Sequence, residues 1–181
     1  DEKKMQAIAY KAAALDISKM KKLPAYIVTY TDSQAGGTSK INAKIIKDAS
    51  GSNYVHLNGK VVMKGYLGFA GLSFVLSMNP KNNPVDIRDF KSIAFDVRGN
   101  GETYYLLFIS SLVKDYNFHF ISFKTSKEWQ TIKIPFSDIK QNPYYGKQIP
   151  LDLKTIKAIN FSAAFKAYDI DVDVKNIHLV K

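Results

Sequence analysis

After Pro24 the chain is divided into short segments rich in β-branched and aromatic residues, and turn-forming sequences separate them. The separators include AGG, ASGS, NPKNNP, RGNGE and QNPYYGK, whose glycine, proline and asparagine residues favour turns. The pattern predicts ten strands: Tyr26–Tyr30, Lys40–Ile46, Tyr54–Val62, Ala70–Ser77, Ser92–Val97, Thr103–Ser110, Phe118–Lys124, Gln130–Ile134, Ala158–Ala164 and Val172–Val180. Many short strands of this kind are typical of an all-β sandwich or a closed barrel.

Composition is consistent with one globular domain. The chain has 181 residues, of which 46% are hydrophobic and 13% aromatic, enough for a single core, and aromatic residues fit a pleated sheet well. The absence of cysteine excludes disulfides, cysteine-ligated zinc and thiol catalysis. No apolar run reaches the 18 residues or so of a membrane span.

The formal net charge of +10 raises the question of a polyanionic partner. Lysines are spread along the whole chain among acidic residues, and arginine occurs only as Arg88 and Arg98. The paired aromatic and glycine residues of an RNA-binding motif are absent. We therefore predict a lysine-rich solubilising surface and no nucleic-acid partner, with a specific polyanion site as the alternative.

The N-terminal segment predicts an amphipathic helix. Apolar residues recur at approximately helical spacing before Pro24 ends the pattern: Met5, Ile8, Ala12, Leu15 and Met20. The predicted organisation is thus a helix over residues 1–24 and a β-sandwich domain over residues 25–181. The apolar stripe of this helix must pack on the domain itself or on a partner.

Alternation assigns faces within the predicted strands. In Ser92–Val97 the apolar residues share one face, while Asp96 and Arg98 share the other. The strand Thr103–Ser110 is apolar on both faces, with one set formed by Tyr104, Leu106 and Phe108 and the other by Tyr105, Leu107 and Ile109. A central strand covered on both sides would explain this, the second cover being the helix, a ligand or a partner.

The only tryptophan, Trp129, stands before a short strand that ends at Pro135. Proline cannot donate to a sheet ladder, so it marks a strand end or an edge. Two interpretations of Trp129 remain open, a structural plug at the rim of the sandwich and a sugar-stacking platform, and we favour the plug.

Several sequence runs resemble one known family. These runs are FDVRGNGETYYL at Phe95–Leu106, FKTSKEWQTIKIPFSDI at Phe123–Ile139 and IKAINF at Ile156–Phe161. AGGTSK, HLNGKV and GYLGFAGLSF upstream are similar to the preceding segments of the same family. The chain resembles the complex I intermediate-associated protein family and the closely similar family 11-type carbohydrate-binding modules.

This resemblance implies a galactose-binding-like jelly-roll β-sandwich without catalytic residues. Members bind glycans in bacterial polysaccharide-degrading systems or act as an assembly factor for respiratory complex I. Relatives often carry an aspartate that helps to hold a structural calcium ion, where this chain has Lys175. Only Asp32 remains of the family's N-terminal acidic pair, and a hard cation needs several oxygen ligands, so we predict no cofactor.

Candidate ligand-binding residues combine aromatic rings with planar polar groups, which suit the C–H face and the hydroxyls of a sugar. Asp96 and Arg98 are expected to face the same side as Tyr105, and Asn160 to join them. The loop after the strand that ends at Pro135 adds further candidates, so that the full set is Asp96, Arg98, Tyr105, Gln141, Tyr144, Tyr145 and Asn160.

No sequence motif indicates an enzyme. The chain has no nucleophile elbow, phosphate-binding glycine loop or paired-histidine zinc motif. His56, His119 and His178 lie on separate predicted strands, which gives no support to a shared zinc ion. The alternating Asp169, Asp171 and Asp173 predict an exposed acidic stripe, with a cation site as the alternative.

The sequence therefore predicts a non-catalytic carbohydrate-binding module. A protein-interaction or assembly domain is the alternative, so the partner is a glycan or a protein. The glycan hypothesis favours an extracellular or periplasmic location. The oligomeric state and the particular glycan stay open.

Overall fold

The computed structural model describes residues 16–23, 25–76 and 83–181. Its strands are β1 (Ile27–Thr31), β2 (Lys40–Lys47), β3 (Asn53–Val61), β4 (Phe69–Val75), β5 (Ser92–Gly99), β6 (Thr103–Ser110), β7 (His119–Lys124), β8 (Gln130–Pro135), β9 (Ile156–Ala164) and β10 (Tyr168–Val180). Each of the ten predicted strands is present, and β10 begins earlier than predicted. Two 3-10 turns, Asp32–Ala35 and Phe136–Asp138, follow β1 and β8.

The strands form two five-stranded sheets. Sheet A has the order β1-β4-β9-β6-β7, and sheet B has the order β2-β3-β10-β5-β8. Neighbouring strands are antiparallel throughout both sheets. This arrangement confirms the predicted all-β sandwich, with its jelly-roll architecture.

Aromatic residues join the two sheets in the core. Phe95 of β5 lies 5.0 Å from Phe161 of β9 and 5.1 Å from Phe123 of β7, between ring centroids, and both pairs meet edge to face. Burying one such side chain contributes roughly 1.5–3 kcal/mol, and edge-to-face contacts add to this. The inward faces of the two sheets thus pack together and form one hydrophobic core.

Strand β6 lies inside sheet A, between β9 and β7, as predicted for a central strand. Its inward residues are fully buried: Tyr104, Leu106 and Phe108. The outward set of Tyr105, Leu107 and Ile109 remains half-buried in the described structure. Apolar character on both sides of β6 therefore leaves an accessible apolar surface on the outside of sheet A.

Most of the predicted N-terminal helix falls on residues 1–15, which lie outside the described residues. The prediction is wrong for the C-terminal part of this helix, because residues 16–23 form turns and irregular chain. The carbonyl of Met20 would need an N–H from residue 24, and Pro24 has none. The side-chain amide of Asn53 donates to this carbonyl instead, at 2.6 Å, and Ile17 is buried in the core. None of the described residues forms a helix long and apolar enough to cross a membrane.

Candidate ligand-binding face

The outward side of sheet B carries a network of paired charges. The carboxylate of Asp173 accepts a hydrogen bond from Arg98 Nε at 2.7 Å and lies 2.7 Å from His56 Nδ1. Lys175 Nζ lies 3.2 Å from Asp48 Oδ2. The hydrogen bond from Ser50, with further help from Lys175, lowers the pKa of Asp48 to about 2. The charges of Asp173 and Asp48 are therefore paired within the protein.

Trp129 belongs to the same side of the molecule. Its ring meets the Tyr54 ring edge to face, with centroids 5.6 Å apart. Arg98 Cζ lies 4.7 Å and Lys175 Nζ 4.4 Å from the Trp129 centroid, both within cation–π range. Trp129 thus packs against outward residues of sheet B. The expectation placed it at the rim of the sandwich, and the structure places it on this face instead.

The acidic stripe of β10 divides into two kinds of residue. Asp169 and Asp171 are exposed, as predicted for a solvated stripe. Asp173 is only 8% exposed and is paired with Arg98 and His56. Burial of this one carboxylate follows from its position opposite Arg98 in the β10–β5 register.

Asp96 also has a structural role on sheet B. Its two carboxylate oxygens accept hydrogen bonds from Thr131 Oγ1 and Asn176 Nδ2, each at 2.6 Å. Asn176 has a φ of 52° and lies where the β10–β5 register shifts. Asp96 therefore connects β8 to an irregular point in β10, and both of its oxygens are occupied.

The predicted site residues do not lie together. Asp96 and Arg98 project from sheet B, whereas Tyr105 and Asn160 lie on β6 and β9 of sheet A. The expectation that Asp96 and Arg98 face the same side as Tyr105 is wrong. Alternation assigns a residue to a face of its own strand, but β5 and β6 belong to opposite sheets, which point their outward residues in opposite directions.

The outward side of sheet A, here called the sheet A face, has a strip of small residues along β4 and β9. Gly71 pairs with Ser162, and Ser73 pairs with Asn160, in the antiparallel register of these strands. Tyr105 of β6 lies opposite Ser162. Asn160 therefore does join Tyr105 on one face, as predicted.

Aromatic rings flank this strip on both sides. Towards β7, Tyr105 lies 4.8 Å from Phe165 and 6.2 Å from Phe120, between ring centroids. Towards the opposite edge, Tyr30 lies 6.2 Å from Phe69. The ring of Phe165 is 65% exposed. The result is a polar strip bordered by two aromatic walls.

The two sheets differ sharply in acidic residues. None of the five strands of sheet A, all of which the structure describes, contains Asp or Glu, whereas the strands of sheet B contain Asp96, Asp169, Asp171 and Asp173. Burial raises the pKa of Tyr105, so this phenol is neutral at physiological pH. The sheet A face offers rings, hydroxyls and an amide rather than carboxylates.

The loop that carries the remaining predicted residues borders sheet A. Lys140 forms a bridge with Phe120 of the edge strand β7, which brings the loop beside this sheet. Tyr144 is 95% exposed, and Tyr145 is half exposed while its hydroxyl donates to the carbonyl of Asp115 at 2.9 Å. Tyr144 and Tyr145 therefore belong to a loop next to the β7 edge of sheet A.

Gln141 stabilises this loop internally. Its Nε2 donates to the carbonyls of Asn117, at 2.7 Å, and Lys147, at 3.2 Å. Its Oε1 accepts from the N–H of Ile149 at 2.7 Å. Because both ends of the amide are occupied, Gln141 positions the loop and has little capacity left for a ligand.

A groove of about 850 Å³ opens beneath the same loop. Apolar side chains dominate its lining, among them Phe136, Ile139 and Leu151, and His119 contributes to it. His119 is buried, its Nε2 lies 2.9 Å from the carbonyl of Ile149, and burial lowers its pKa. His119 is therefore a buried residue of β7 that lies beside the groove.

Asp32, the acidic residue considered for calcium, is fully buried after β1. It accepts hydrogen bonds from Ser39 N (3.1 Å), Ser39 Oγ (2.7 Å) and Phe69 N (3.1 Å). A Cβ at Gly37 would lie 2.1 Å from the Asp32 carboxyl carbon, which explains the glycine there. Among the described residues, no group of three or more His, Asp or Glu side chains is arranged to hold a metal ion.

Sequence reasoning missed four aromatic residues of the sheet A face: Tyr30, Phe69, Phe120 and Phe165. A signal for part of this arrangement was present in Gly71, because an isolated glycine within a strand often marks a close approach of another group. No local signal indicates Phe165, which follows the end of β9 with a φ of 72°.

Comparison with solved structures shows the same fold elsewhere. A family 11 carbohydrate-binding module from Clostridium thermocellum, in complex with a β-1,3-1,4-mixed-linked tetrasaccharide, is 24% identical with a TM-score of 0.66, covering 92% of this chain and 93% of that one. A family 30 carbohydrate-binding module of a Clostridium thermocellum cellulosomal cellulase is 16% identical with a TM-score of 0.60, covering 92% and 98%.

Two further comparisons concern sequence. Endoglucanase 3 of Fibrobacter succinogenes is 25% identical in an alignment of 178 positions that covers 91% of this chain. The chain spans about a quarter of that enzyme's length, since the match covers 26% of it. The sequence model of Complex I intermediate-associated protein 30 (CIA30) matches residues 15–175. Because this match extends over most of the chain, the protein belongs to the CIA30 family.

Proposed function

We propose that this protein is a non-catalytic carbohydrate-binding module that binds a polysaccharide or oligosaccharide on the sheet A face. The observation that carries the proposal is the strip of small polar residues between two aromatic walls. Tyr105 and Phe165 form one wall beside Ser162 and Asn160. Such a face suits a flat ring that has apolar C–H groups and hydroxyls.

Physical chemistry favours weak, reversible recognition at this face. Aromatic rings remove the C–H surface of a sugar from water, and the hydroxyl groups of the half-buried Ser73 and Tyr105 replace some of its bonds to water. Because this face is open rather than enclosed, we expect affinities between about 1 µM and 1 mM, or roughly −8 to −4 kcal/mol.

A hydrolytic function has no support at this face. Glycoside hydrolysis ordinarily uses two carboxyl groups on either side of the bond that breaks. The strands of sheet A contribute no carboxylate, as described above. Binding without bond cleavage is therefore the function that the face supports.

The relatives suggest which ligands to test first. One structural neighbour binds a β-1,3-1,4-mixed-linked tetrasaccharide, and a sequence relative is an endoglucanase. At these identities the likeness concerns the fold, so the ligand must be determined for this chain. Mixed-linked and uniform β-glucan oligosaccharides are the natural first probes, followed by a broad glycan array.

The decisive experiment is calorimetric titration of the wild type and Tyr105→Ala with glycans found on the array. We expect Tyr105→Ala to weaken binding at least about tenfold, equivalent to about 1.4 kcal/mol. Tyr66→Ala is the matched control, because Tyr66 is fully exposed in the β3–β4 connection. The proposal fails if no glycan binds, or if both variants bind as tightly as the wild type.

A second candidate function is that of a protein-interaction or assembly domain. The same face includes a cluster of outward apolar residues, Val28, Val75, Leu107 and Ile109, and Val28 is 43% exposed. Apolar patches of this kind also suit a protein partner. A pull-down whose yield depends on residues 5–20 would favour this function over glycan binding.

A further inference from the structure

Strand β1 differs from the other edge strands of the sandwich in having no charged residue. The edges are formed by β1 and β7 in sheet A and by β2 and β8 in sheet B, and the structure describes all four strands. A sheet edge exposes unpaired N–H and C=O groups, so proteins protect it with lysine or proline or cover it with another segment. The sequence of β1 is IVTYT, which contains neither lysine nor proline.

The other three edges have protection of this kind. Strand β2 carries three exposed lysines, Lys40, Lys44 and Lys47. Strand β7 is covered by the neighbouring loop, since Phe120 N–H donates to the Lys140 carbonyl at 2.9 Å and Lys140 N–H donates to the Phe120 carbonyl at 3.1 Å. Strand β8 ends at Pro135 and carries the exposed Lys133. The edge of β1 is therefore an exception within this fold.

The main chain of β1 shows which groups face the open side. The carbonyl of Tyr26 accepts from the N–H of Val75 at 2.8 Å, so residue 26 faces β4. In an antiparallel ladder alternate residues bond to the same neighbour, so Val28 also faces β4 and Thr29 directs its N–H and C=O groups away from it. None of the described residues forms a hydrogen bond with these two groups of Thr29 on the open side.

The side chains at this edge are accessible and uncharged. Val28 is 43% exposed, and Thr29 is exposed as well. Asp32, which follows the strand, is fully buried. No charge within β1 therefore opposes the approach of a second strand with the same sequence, although each chain has a formal net charge of +10.

We propose that β1 pairs with β1 of a second copy of this chain, in antiparallel orientation and centred on Thr29. This pairing gives each Thr29 a partner for its N–H and its C=O group, and it places Val28 beside Tyr30 of the other copy. Threonine pairs and pairs of an aromatic with a β-branched residue both stabilise neighbouring strands. The same surface is used by both copies, as in most two-fold symmetric dimers.

The pairing joins the two five-stranded A sheets into one continuous sheet. Directly opposite residues of an antiparallel pair point to the same side, so the sheet A faces of the two copies lie side by side. One consequence rests on the proposed function: a long polysaccharide contacts both faces at once, whereas an oligosaccharide contacts one. Binding to the second face is then intramolecular, which raises the affinity for the polymer without any new contact.

Sedimentation velocity of the full chain measures the pairing directly. A single short strand pair gives a weak dimer, so the weight-average mass should rise from that of one chain towards that of two between roughly 10 µM and 1 mM. Association should be stronger at about 0.5 M than at about 0.05 M NaCl, because salt screens the repulsion between two positively charged copies. A chain that stays monomeric over this range at both salt concentrations overturns the inference.

Thr29→Lys and Thr29→Pro test the edge itself. Lysine places like charges opposite each other at the centre of the pair, and proline removes the outward N–H without removing a bond to β4. Both variants should remain monomeric at concentrations where the wild type dimerises. Asn42→Lys is the matched control, since it adds the same charge at an exposed position of the edge strand β2, and it should dimerise like the wild type. Dimerisation of both Thr29 variants at the wild-type level, or an equal loss in Asn42→Lys, would overturn the inference.

A cysteine at position 29 tests the register. The chain has no cysteine, so Thr29→Cys introduces its only thiol. Directly opposite residues in a hydrogen-bonded antiparallel pair have Cα atoms about 5.5 Å apart, which a disulfide can span. Mild oxidation should convert Thr29→Cys to a covalent dimer, whereas Asn42→Cys should remain mostly monomeric. Equal dimer yields from the two variants would contradict the proposed pairing.

Glycan measurements distinguish failure of the dimer from failure of the proposed function. At dimer-forming concentrations, the wild type and Thr29→Lys should bind the mixed-linked tetrasaccharide equally, whereas the wild type should bind mixed-linked β-glucan polymer at least about tenfold more tightly. If neither glycan binds, the proposed function fails for this probe, and sedimentation still decides the dimer. If the wild type dimerises but binds the polymer no more tightly than Thr29→Lys, the two faces do not act together and that consequence is wrong.

Discussion

The ring of Trp129 meets the ring of Tyr54 edge to face, at an interplanar angle of 77°, on the outward side of sheet B. Arg98 and Lys175 lie over the same indole. The only tryptophan of the chain is therefore half-buried among the protein's own side chains, on the side of the sandwich opposite to Tyr105 and Asn160.

Because of this position, we expect the fluorescence of Trp129 not to respond to glycan binding at the sheet A face. Saturation with a glycan should leave the tryptophan emission maximum and intensity unchanged, because the sheet A face lies across the core from Trp129. Urea unfolding should shift the emission strongly, since the indole then becomes exposed to water. A ligand-dependent emission change that follows the calorimetric binding curve would place the glycan on sheet B instead.

Arg98→Ala should reduce stability without altering glycan affinity. The substitution removes the partner of the mostly buried Asp173 and a cation–π contact with Trp129, at a cost of about 2 kcal/mol. Urea unfolding measures this loss. Arg88→Ala is the matched control, because its pair with Asp86 is exposed on both sides and should contribute less than about 1 kcal/mol. Loss of glycan affinity in Arg98→Ala alone would contradict the assignment of the binding face.

Phe165→Gly should lower glycan affinity while leaving the free energy of unfolding nearly unchanged. The φ of 72° at Phe165 is unfavourable for a bulky residue, so glycine relieves about 1 kcal/mol of backbone strain. Loss of the edge-to-face contact with Tyr105 costs a similar amount, which leaves the unfolding free energy within about 1 kcal/mol of the wild type. Glycan affinity should fall about tenfold by calorimetry, because an exposed ring of the aromatic wall is removed.

Tyr116→Gly is the control for this effect, since Tyr116 also has a positive φ, of 64°, and is 82% exposed. It should gain comparable backbone relief while retaining glycan affinity. Unchanged affinity in Phe165→Gly would remove Phe165 from the binding face.

Asp32 should contribute a pH-dependent part of stability. Burial opposes ionisation of this carboxyl, but the hydrogen bonds from Ser39 and Phe69 outweigh burial and lower its pKa. Its stabilisation is therefore fully present above the unfolded pKa of about 3.9, and it is lost as pH falls through the lower folded value.

Urea unfolding of the wild type and Asp32→Asn between pH 2 and pH 6 measures this contribution. At pH 6 the variant should be less stable by about 3 kcal/mol, since it loses charge-assisted hydrogen bonds in a buried site. Towards pH 2 the difference in unfolding free energy between the wild type and Asp32→Asn should become smaller. Ser39→Ala, which removes one of the donors, should give an intermediate profile, whereas a constant difference at every pH would contradict the account.

Local pattern was sufficient to predict the elements of the sandwich. Alternating residues in β6 separated the buried Tyr104, Leu106 and Phe108 from the outward Tyr105, because the pleat of a strand places successive side chains on opposite sides. Turn-forming sequences located all ten strands, since glycine, proline and asparagine favour turn conformations independently of their surroundings. Motifs shared with relatives carried the family assignment, which the match over residues 15–175 confirms.

The local sequence pattern was misleading where contacts with residues distant in the chain determine the conformation or the sheet to which a residue belongs. Asn53 takes the place of a helical partner for the Met20 carbonyl, so the predicted helix does not include residues 16–23. Asp96 and Arg98 were assigned correctly to an outward face, but that face belongs to sheet B.

The sequence by itself thus determined the positions of the strands, the two sets of side chains that alternate along strands such as β5 and β6, and the motifs shared with the family. Only the tertiary structure decided that Tyr105 lies beside Ser162 and Asn160, and that Arg98 lies on the other side of the core. The physical reason is that side-chain alternation is a property of one strand, whereas membership of a sheet depends on hydrogen bonds between segments far apart in the chain. Many pairings satisfy the same alternation, and the joint burial of both inward faces selects among them.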